Sequence, residues 1–492
     1  MTFDLTIRHG RITTSERTFD ADIGVRDGRI AAIAEHLPAG VHDIDASGLW
    51  VLPGGIDSHV HLEERSGMGL MGADDFYSGT VSAAFGGTTT VIPFAAQHKG
   101  QQVAQVLADY HALARSKAVI DYGFHLILSE ARPDLLQREL PQAIAEGISS
   151  VKVYMTYEAQ KLSDYELLDV METCGREGAL LMVHAENHDM IRWLTQRLLA
   201  RGHTAPRFHS TAHDHLAEGE ASYRAIALSR LLDVPILLVH VSASEAIEVI
   251  RSSQRLGSKV HAETCPQYLF LTADDVEQNG LEAAKYCCSP PPRDARAQAA
   301  VWQGLLDGTL ALYSSDHAPY TFDTRGKFPH GAATTFAEMA NGVPGIELRL
   351  PLLFSEGVMT GRLTPEQFVR LSATNHAHMY GLAHCKGDIA VGLDADIALW
   401  NPQAQRTIRW TQLHDQVGYT PYEGRQITGW PETVISRGRV VVHHQQLHAA
   451  PGSGQFIARQ CPAPVLHNAQ QAKPSRAARW LGLQGKAWTA AT

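Results

Sequence analysis

The sequence has no run of about 18 apolar residues, the length a membrane-crossing helix requires, so no such helix is expected. Its first residues, MTFDLTIRHG, carry no basic segment leading into an apolar core, and no secretory signal is visible. No CxxC pair occurs, and the six cysteines (Cys174, Cys265, Cys287, Cys288, Cys385, Cys461) follow no regular framework. Such a set fits reduced, mostly buried thiols in the cytoplasm. Long basic stretches are missing too. The formal net charge of −10 is spread along the chain and offers nucleic acid no footprint. Charged residues make up 19% and hydrophobic residues 44% of 492 positions, the balance of a globular enzyme rather than a disordered or fibrous chain. Histidine stands out: there are 26, and it is both the commonest metal ligand and a general acid or base.

Residues 3–52 read as short alternating strands joined by turns such as RHGR and RDGR, with glycine where positive φ is needed. After Pro53 the pattern changes, and apolar strands alternate with amphipathic stretches of helical length. Eight such strands can be placed, at 54–61, 88–96, 122–129, 149–155, 179–186, 235–242, 259–266 and 310–319. Strand–helix alternation of this kind predicts an α/β fold, a (β/α)8 TIM-like barrel over residues 54–386. From about residue 387 the β pattern returns. Residues 387–448 are expected to pair with 1–53 as a small β-sandwich domain built from both chain ends. The tail at 449–492 is rich in Pro, Ala, Gln and Arg, and is expected to be mobile or to grip a neighbouring subunit.

Active sites of such barrels lie at the C-terminal ends of the strands. There the sequence places His59 and His61 on strand one, Lys152 on four, His184 on five, His240 on six and Asp316 on eight. Residues two apart in a strand face the same way, so His59 and His61 point together into the barrel mouth. A single histidine after an apolar strand is ordinarily a hydrogen-bonded core residue. Four histidines and an aspartate, each on a separate strand end or paired by HxH spacing, point to a metal centre. Lys152 sits mid-strand in GISSVKVYMTY, where lysine is rarely buried without a partner. A neutral amine there, its pKa lowered by burial and nearby cations, reacts with carbon dioxide to give a carbamate. That anion is suited to bridge two divalent metals about 3.5–4 Å apart.

These residues, with the series GGIDSHVHLE, ADDFYSGTVSAAFGGTTTVI, SSVKVYMTY, VHAEN, SDHAPY, NGVPGIELRLPLL and YTPYEGRQITGWPETVISRGRVVV, resemble the amidohydrolase superfamily, most closely its dihydropyrimidinase and D-hydantoinase branch. The likeness runs to about residue 445. It implies two divalent metals, usually zinc, one held by His59, His61, carboxylated Lys152 and Asp316, the other by Lys152, His184 and His240. It also implies hydrolysis of a cyclic amide, a hydantoin or dihydropyrimidine, by a metal-activated hydroxide, with 5-monosubstituted hydantoins giving N-carbamoyl amino acids. Asp316 would be the general base and acid, and Tyr157 the donor to the oxyanion, although Tyr154 lies nearer Lys152 in sequence. Ser289 in YCCSPPPR and Asn341 in EMANGVPGIE would read the substrate through their backbone groups. A homotetramer, or a homodimer, is implied as well.

One stretch departs from the branch. Where an acidic residue and an apolar MPF-like segment are usual, this chain has LEERSGMGLMGADDF. Met68, Leu70 and Met71 suggest a flexible apolar wall, whereas Arg65 could face an acidic substituent or simply be solvated. Allantoinases and dihydroorotases share the binuclear site but carry a different residue pattern after HxH. A non-catalytic scaffold would have lost metal ligands, and here all six positions are filled.

Overall fold

Eight apolar, β-branched segments become parallel strands because both of their faces are covered, by helices outside and by side chains within. They are Gly55–Val60, Thr88–Ala96, His125–Ile127, Ser150–Tyr154, Leu180–His184, Ile236–Leu238, Val260–Thr264 and Leu312–Tyr313, hydrogen-bonded in sequence order in this computed structural model. Residues 2–278, 280–461 and 475–481 are described. The barrel closes where Val60 pairs in parallel with His317, beyond the eighth strand, and the His61 N–H donates to the His317 carbonyl at 2.9 Å. A short extra strand, Asp121–Tyr122, pairs beside the second.

Local signals set the helices between the strands. Asp164–Glu177 starts at Ser163, whose hydroxyl accepts from the Glu166 N–H while Glu166 reaches back to Ser163. It ends at Gly178, where φ of 78° suits a residue without Cβ. Leu167, Val170, Met171 and Cys174 recur at helical spacing and are buried against the barrel. Each such apolar side chain contributes about 1.5–3 kcal/mol on leaving water.

Both chain ends meet in a separate, mostly antiparallel nine-stranded sheet. Leu5–Thr13, Thr18–Arg26, Arg29–Ala34, His42–Asp45 and Trp50–Pro53 come from the start of the chain. Ile397–Thr407, Gln426–Ser436, Arg439–His443 and Gln446–Leu447 come from the other end. The junction is Trp50–Pro53 against Ile397–Thr407, with Leu52 opposite Ala398. Ile7, Ile23, Val51, Ile397, Leu399 and Ile435 gather in the core of this sheet.

The sheet is locked to the barrel floor by ions. Buried Lys386 reaches Asp396 at 2.6 Å and Asp121 at 2.7 Å, and Arg437 lies 3.0 Å from the same Asp121. Residues 450–461, the first part of the expected tail, pack on this chain's own floor. The Ile457 N–H donates to the Tyr122 carbonyl at 2.8 Å, and the buried Arg459 guanidinium donates to Ser150 Oγ at 2.8 Å and to the Phe124 carbonyl. Those bonds satisfy backbone groups at the strand starts that would otherwise be orphaned. The remainder of the expected tail, 462–474 and 482–492, lies outside the described residues. No helix among the described residues is long and apolar enough to cross a membrane.

Candidate metal centre

At the opposite end of the barrel, the strands deliver the six donors named from the sequence to one place. His59 Nε2 lies 3.2 Å and His61 Nε2 3.5 Å from the same oxygen of Asp316. The His240 ring is 5.3 Å from that of His59 and 4.5 Å from that of His184, centre to centre. Ligand atoms of His59, His240 and Asp316 all lie within 4.8 Å of one another. Lys152 enters from the fourth strand, its ammonium 5.2 Å from the ring centres of Phe94 and Tyr154. His240 and Asp316 are not in the strands proper: each turns off its strand end at positive φ, 40° and 46°. A non-glycine residue held there costs about 1–3 kcal/mol and persists only where its surroundings enforce it.

The electrostatics are those of a cation site. Three of the four histidines are backed by buried carboxylates: His59 Nδ1 by Glu263, His61 Nδ1 by Glu64 at 2.6 Å, and His184 Nε2 by Glu186 at 2.7 Å. Glu186 is gripped from its other side by His213 Nδ1 at 2.9 Å. A carboxylate behind an imidazole fixes the tautomer and turns the opposite nitrogen outward as a donor. Burial holds His59, His184 and His240 below the ordinary histidine range, with Lys152 adding to the effect in each case. His61 goes the other way, to about 9, because Glu64 and Asp316 outweigh its burial. Burial alone would raise Asp316, but His59 and His61 hold it below the usual carboxylate range.

Lys152 is 1% exposed and makes no ion pair among the described residues. Burial lowers its pKa, although Glu263 and Asp316 pull the other way. Buried His240 Nδ1 and Glu263 Oε2 have no hydrogen-bond partner among the described residues. Unpaired buried polar atoms cost about 1–3 kcal/mol each, so this site stores a demand for a ligand. The donor set therefore fits divalent cations, with nitrogen and oxygen ligands of the kind zinc accepts.

The donors open into a cavity of about 420 Å³, whose walls include Tyr157, Ser289 and Asn341. Tyr157 sits at φ 66° with its ring 5.2 Å from that of His184, and Ser289 Oγ lies 3.2 Å from His209 Nε2. Tyr154 also borders the cavity and flanks His184 at 5.4 Å, so the structure brings both tyrosines to the site. Met68, Ile191 and Phe336 give the outer wall its apolar character. Arg65 turns away, donating to the Gly69 carbonyl of its own loop at 3.2 Å.

Several participants escaped sequence reasoning. Glu263, one residue before the end of strand seven, meets His59 from 204 positions away, a pairing that no local pattern encodes. Glu186 and His213 form a similar long-range contact. His209, whose ring lies 4.4 Å from that of His213 and tilted to it, carries a sequence signal: the two are four apart in FHSTAH, which puts them on one helical face.

A parallel eight-stranded barrel whose mouth collects carboxylate-backed histidines, a buried lysine and an aspartate defines a metal-dependent amidohydrolase. The profile of the amidohydrolase family matches residues 50–441, and the chain belongs to that family. It is 42% identical to the D-hydantoinase of Geobacillus stearothermophilus over 456 residues, 92% of this chain and 96% of that protein. The dihydropyrimidinase of Brevibacillus agri NCHU1002 has a similar structure, with a TM-score of 0.90 at 41% identity, covering 93% of this chain and 99% of that one. The L-hydantoinase (dihydropyrimidinase) of Arthrobacter aurescens is more distant, with a TM-score of 0.84 at 28% identity over 93% of this chain and 100% of that one. Within the family, the chain's place is the hydantoinase and dihydropyrimidinase branch.

Proposed function

We propose that this protein hydrolyses the amide bond of a cyclic ureide, converting 5-monosubstituted hydantoins to N-carbamoyl amino acids. The observation that carries this reading is a buried lysine without a carboxylate partner, ringed by histidines that carboxylates hold in place. In this reading His59, His61 and Asp316 would hold one cation, His184 and His240 would hold the other, and Lys152, as its carbamate, would be a ligand to both. Two bound divalent ions, zinc being the expected pair, lower the pKa of water and polarise the scissile carbonyl.

The chain's own groups do the rest. Asp316, kept ionised by His59 and His61, accepts the proton of the attacking water and delivers it to the departing ring nitrogen. Tyr157 keeps its phenolic proton because burial raises its pKa well above the ordinary value, so it remains a donor to the oxyanion of the tetrahedral intermediate. Backbone groups of Ser289 and Asn341 read the ring's amide, and the wall at Met68, Ile191 and Phe336 receives the exocyclic group. Residues 54–386 carry this chemistry, while 1–53 with 387–448 form the supporting β domain. A cytoplasmic homotetramer, or homodimer, completes the reading.

The test is a panel of hydantoin, 5-phenylhydantoin, dihydrouracil, allantoin and dihydroorotate on protein of measured metal content. Turnover of the first three with ring opening supports the assignment. Activity confined to the last two overturns it.

A further inference from the structure

Lys327 is buried to 0% exposure and lies outside the cavity wall, yet no carboxylate accompanies it among the described residues. All three donors of its ammonium are used on backbone carbonyls: Cys287 and Ala340 at 2.9 Å, and Gly342 at 2.6 Å. Burial pushes its pKa down to about 8. An ammonium in so dry a place is costly unless every proton finds an acceptor.

Its acceptors belong to two loops far apart in sequence. Cys287 precedes Ser289 by two residues, and Ala340 and Gly342 bracket Asn341. The loops also meet directly through the Gly342 N–H, which donates to the Cys287 carbonyl at 3.1 Å. Gly342 sits at φ 151°, where a Cβ would come within 2.5 Å of the Ala318 side chain, so this loop is also pressed against the segment that carries Asp316. Without the ammonium, the Ala340 and Gly342 carbonyls would lose this donor and the Cys287 carbonyl would keep the Gly342 N–H alone.

We propose that Lys327 is a positioning residue for substrate recognition: it staples the Ser289 loop to the Asn341 loop and fixes the spacing of the backbone groups that grip the cyclic amide. The role in recognition rests on the function proposed above; the staple itself does not. Because Lys327 touches neither the reacting carbon nor the cation ligands, its removal acts on ring binding more than on the chemical step.

The experiment compares holoenzyme with Lys327→Met, and with Lys327→Gln, which keeps two N–H donors and decides the question where the methionine variant does not fold. Hydrogen–deuterium exchange should show the peptides spanning 287–289 and 340–342 losing protection together, with the barrel strands unchanged. KM for 5-phenylhydantoin should rise at least about tenfold while kcat stays within about threefold. Inhibition by acetohydroxamate, which needs the cations but not the ring-reading loops, should change by less than about twofold. Unchanged exchange in either loop overturns the staple. An unchanged KM, or a parallel loss of metal and hydroxamate binding, overturns the recognition role. A wild-type enzyme that opens no cyclic amide refutes the proposed activity instead, and exchange then decides the staple by itself.

Discussion

The mouth and the floor of the barrel each bury a lysine and treat it in opposite ways. On the floor, Lys386 meets Asp396 at 2.6 Å, Asp121 at 2.7 Å and Asp394 at 3.1 Å. Burial alone would lower its pKa, but the three aspartates outweigh it and raise the value above ordinary lysine. A raised folded-state pKa stabilises the protein at every pH below the unfolded value of about 10.4 and is lost only at still higher pH. At the mouth the sign reverses. Lys152 has no such partner and its pKa falls, so keeping it protonated costs stability at neutral pH, a cost that fades as pH rises towards the unfolded value. One lysine is placed for cohesion. The other is left in want of an anionic form and of cations to neutralise, which is how a site gives up stability for chemistry.

Substitutions can break this comparison from either side. Lys152→Ala should abolish metal retention and lower turnover by at least about 10³-fold, since a Lewis-acid pair supplies several kcal/mol, while chemical denaturation shows no loss of stability in the metal-free protein. Lys386→Met leaves buried Asp396 without its cation and removes one of the two cations at Asp121, and should lower the unfolding free energy by about 3–5 kcal/mol, with metal content and kcat per folded molecule unchanged. Equal behaviour of the two variants would dissolve the distinction between mouth and floor.

Smaller effects sharpen it. Tyr157→Phe removes the oxyanion donor and should lower kcat by about 10²–10³ with intact metal, as measured by steady-state kinetics. Glu186→Gln weakens the hold on His184 and should reduce metal affinity by about 10–100-fold in a chelator competition, with the fold preserved. The smallest effect is on pH: metal-stripped protein given zinc at a fixed concentration of dissolved carbon dioxide should regain activity several-fold faster at about pH 9 than at about pH 7, because only neutral Lys152 reacts with carbon dioxide.

Much of this was legible in the sequence because it is local. A two-residue period puts His59 and His61 on one side, and a lysine inside a β-branched run is conspicuous whatever surrounds it. Eight strands were countable for the same reason. Their ends were not: the sixth runs only from Ile236 to Leu238 and the eighth only from Leu312 to Tyr313, because the chain leaves the ladder to aim His240 and Asp316 at positive φ. Propensity favours continuing such strands, and the tertiary demands of the site override it. The carboxylates behind the histidines were hidden for a different reason. Glu263 acquires meaning only from His59 on another strand, Glu186 is bound by distant His213 as well as by nearby His184, and Arg459 acquires its place only once Ser150 and Phe124 form the floor.

The central claim is that Lys152 becomes a carbamate and thereby holds two cations. Carbon-13 NMR of holoenzyme prepared in ¹³C-bicarbonate, with metal counted on the same sample, tests it most directly. The account predicts a carbamate resonance that is absent from Lys152→Ala, together with two metal ions per chain. A fully active wild-type sample with no such resonance, or with its activity intact after every metal ion has been removed, would contradict it.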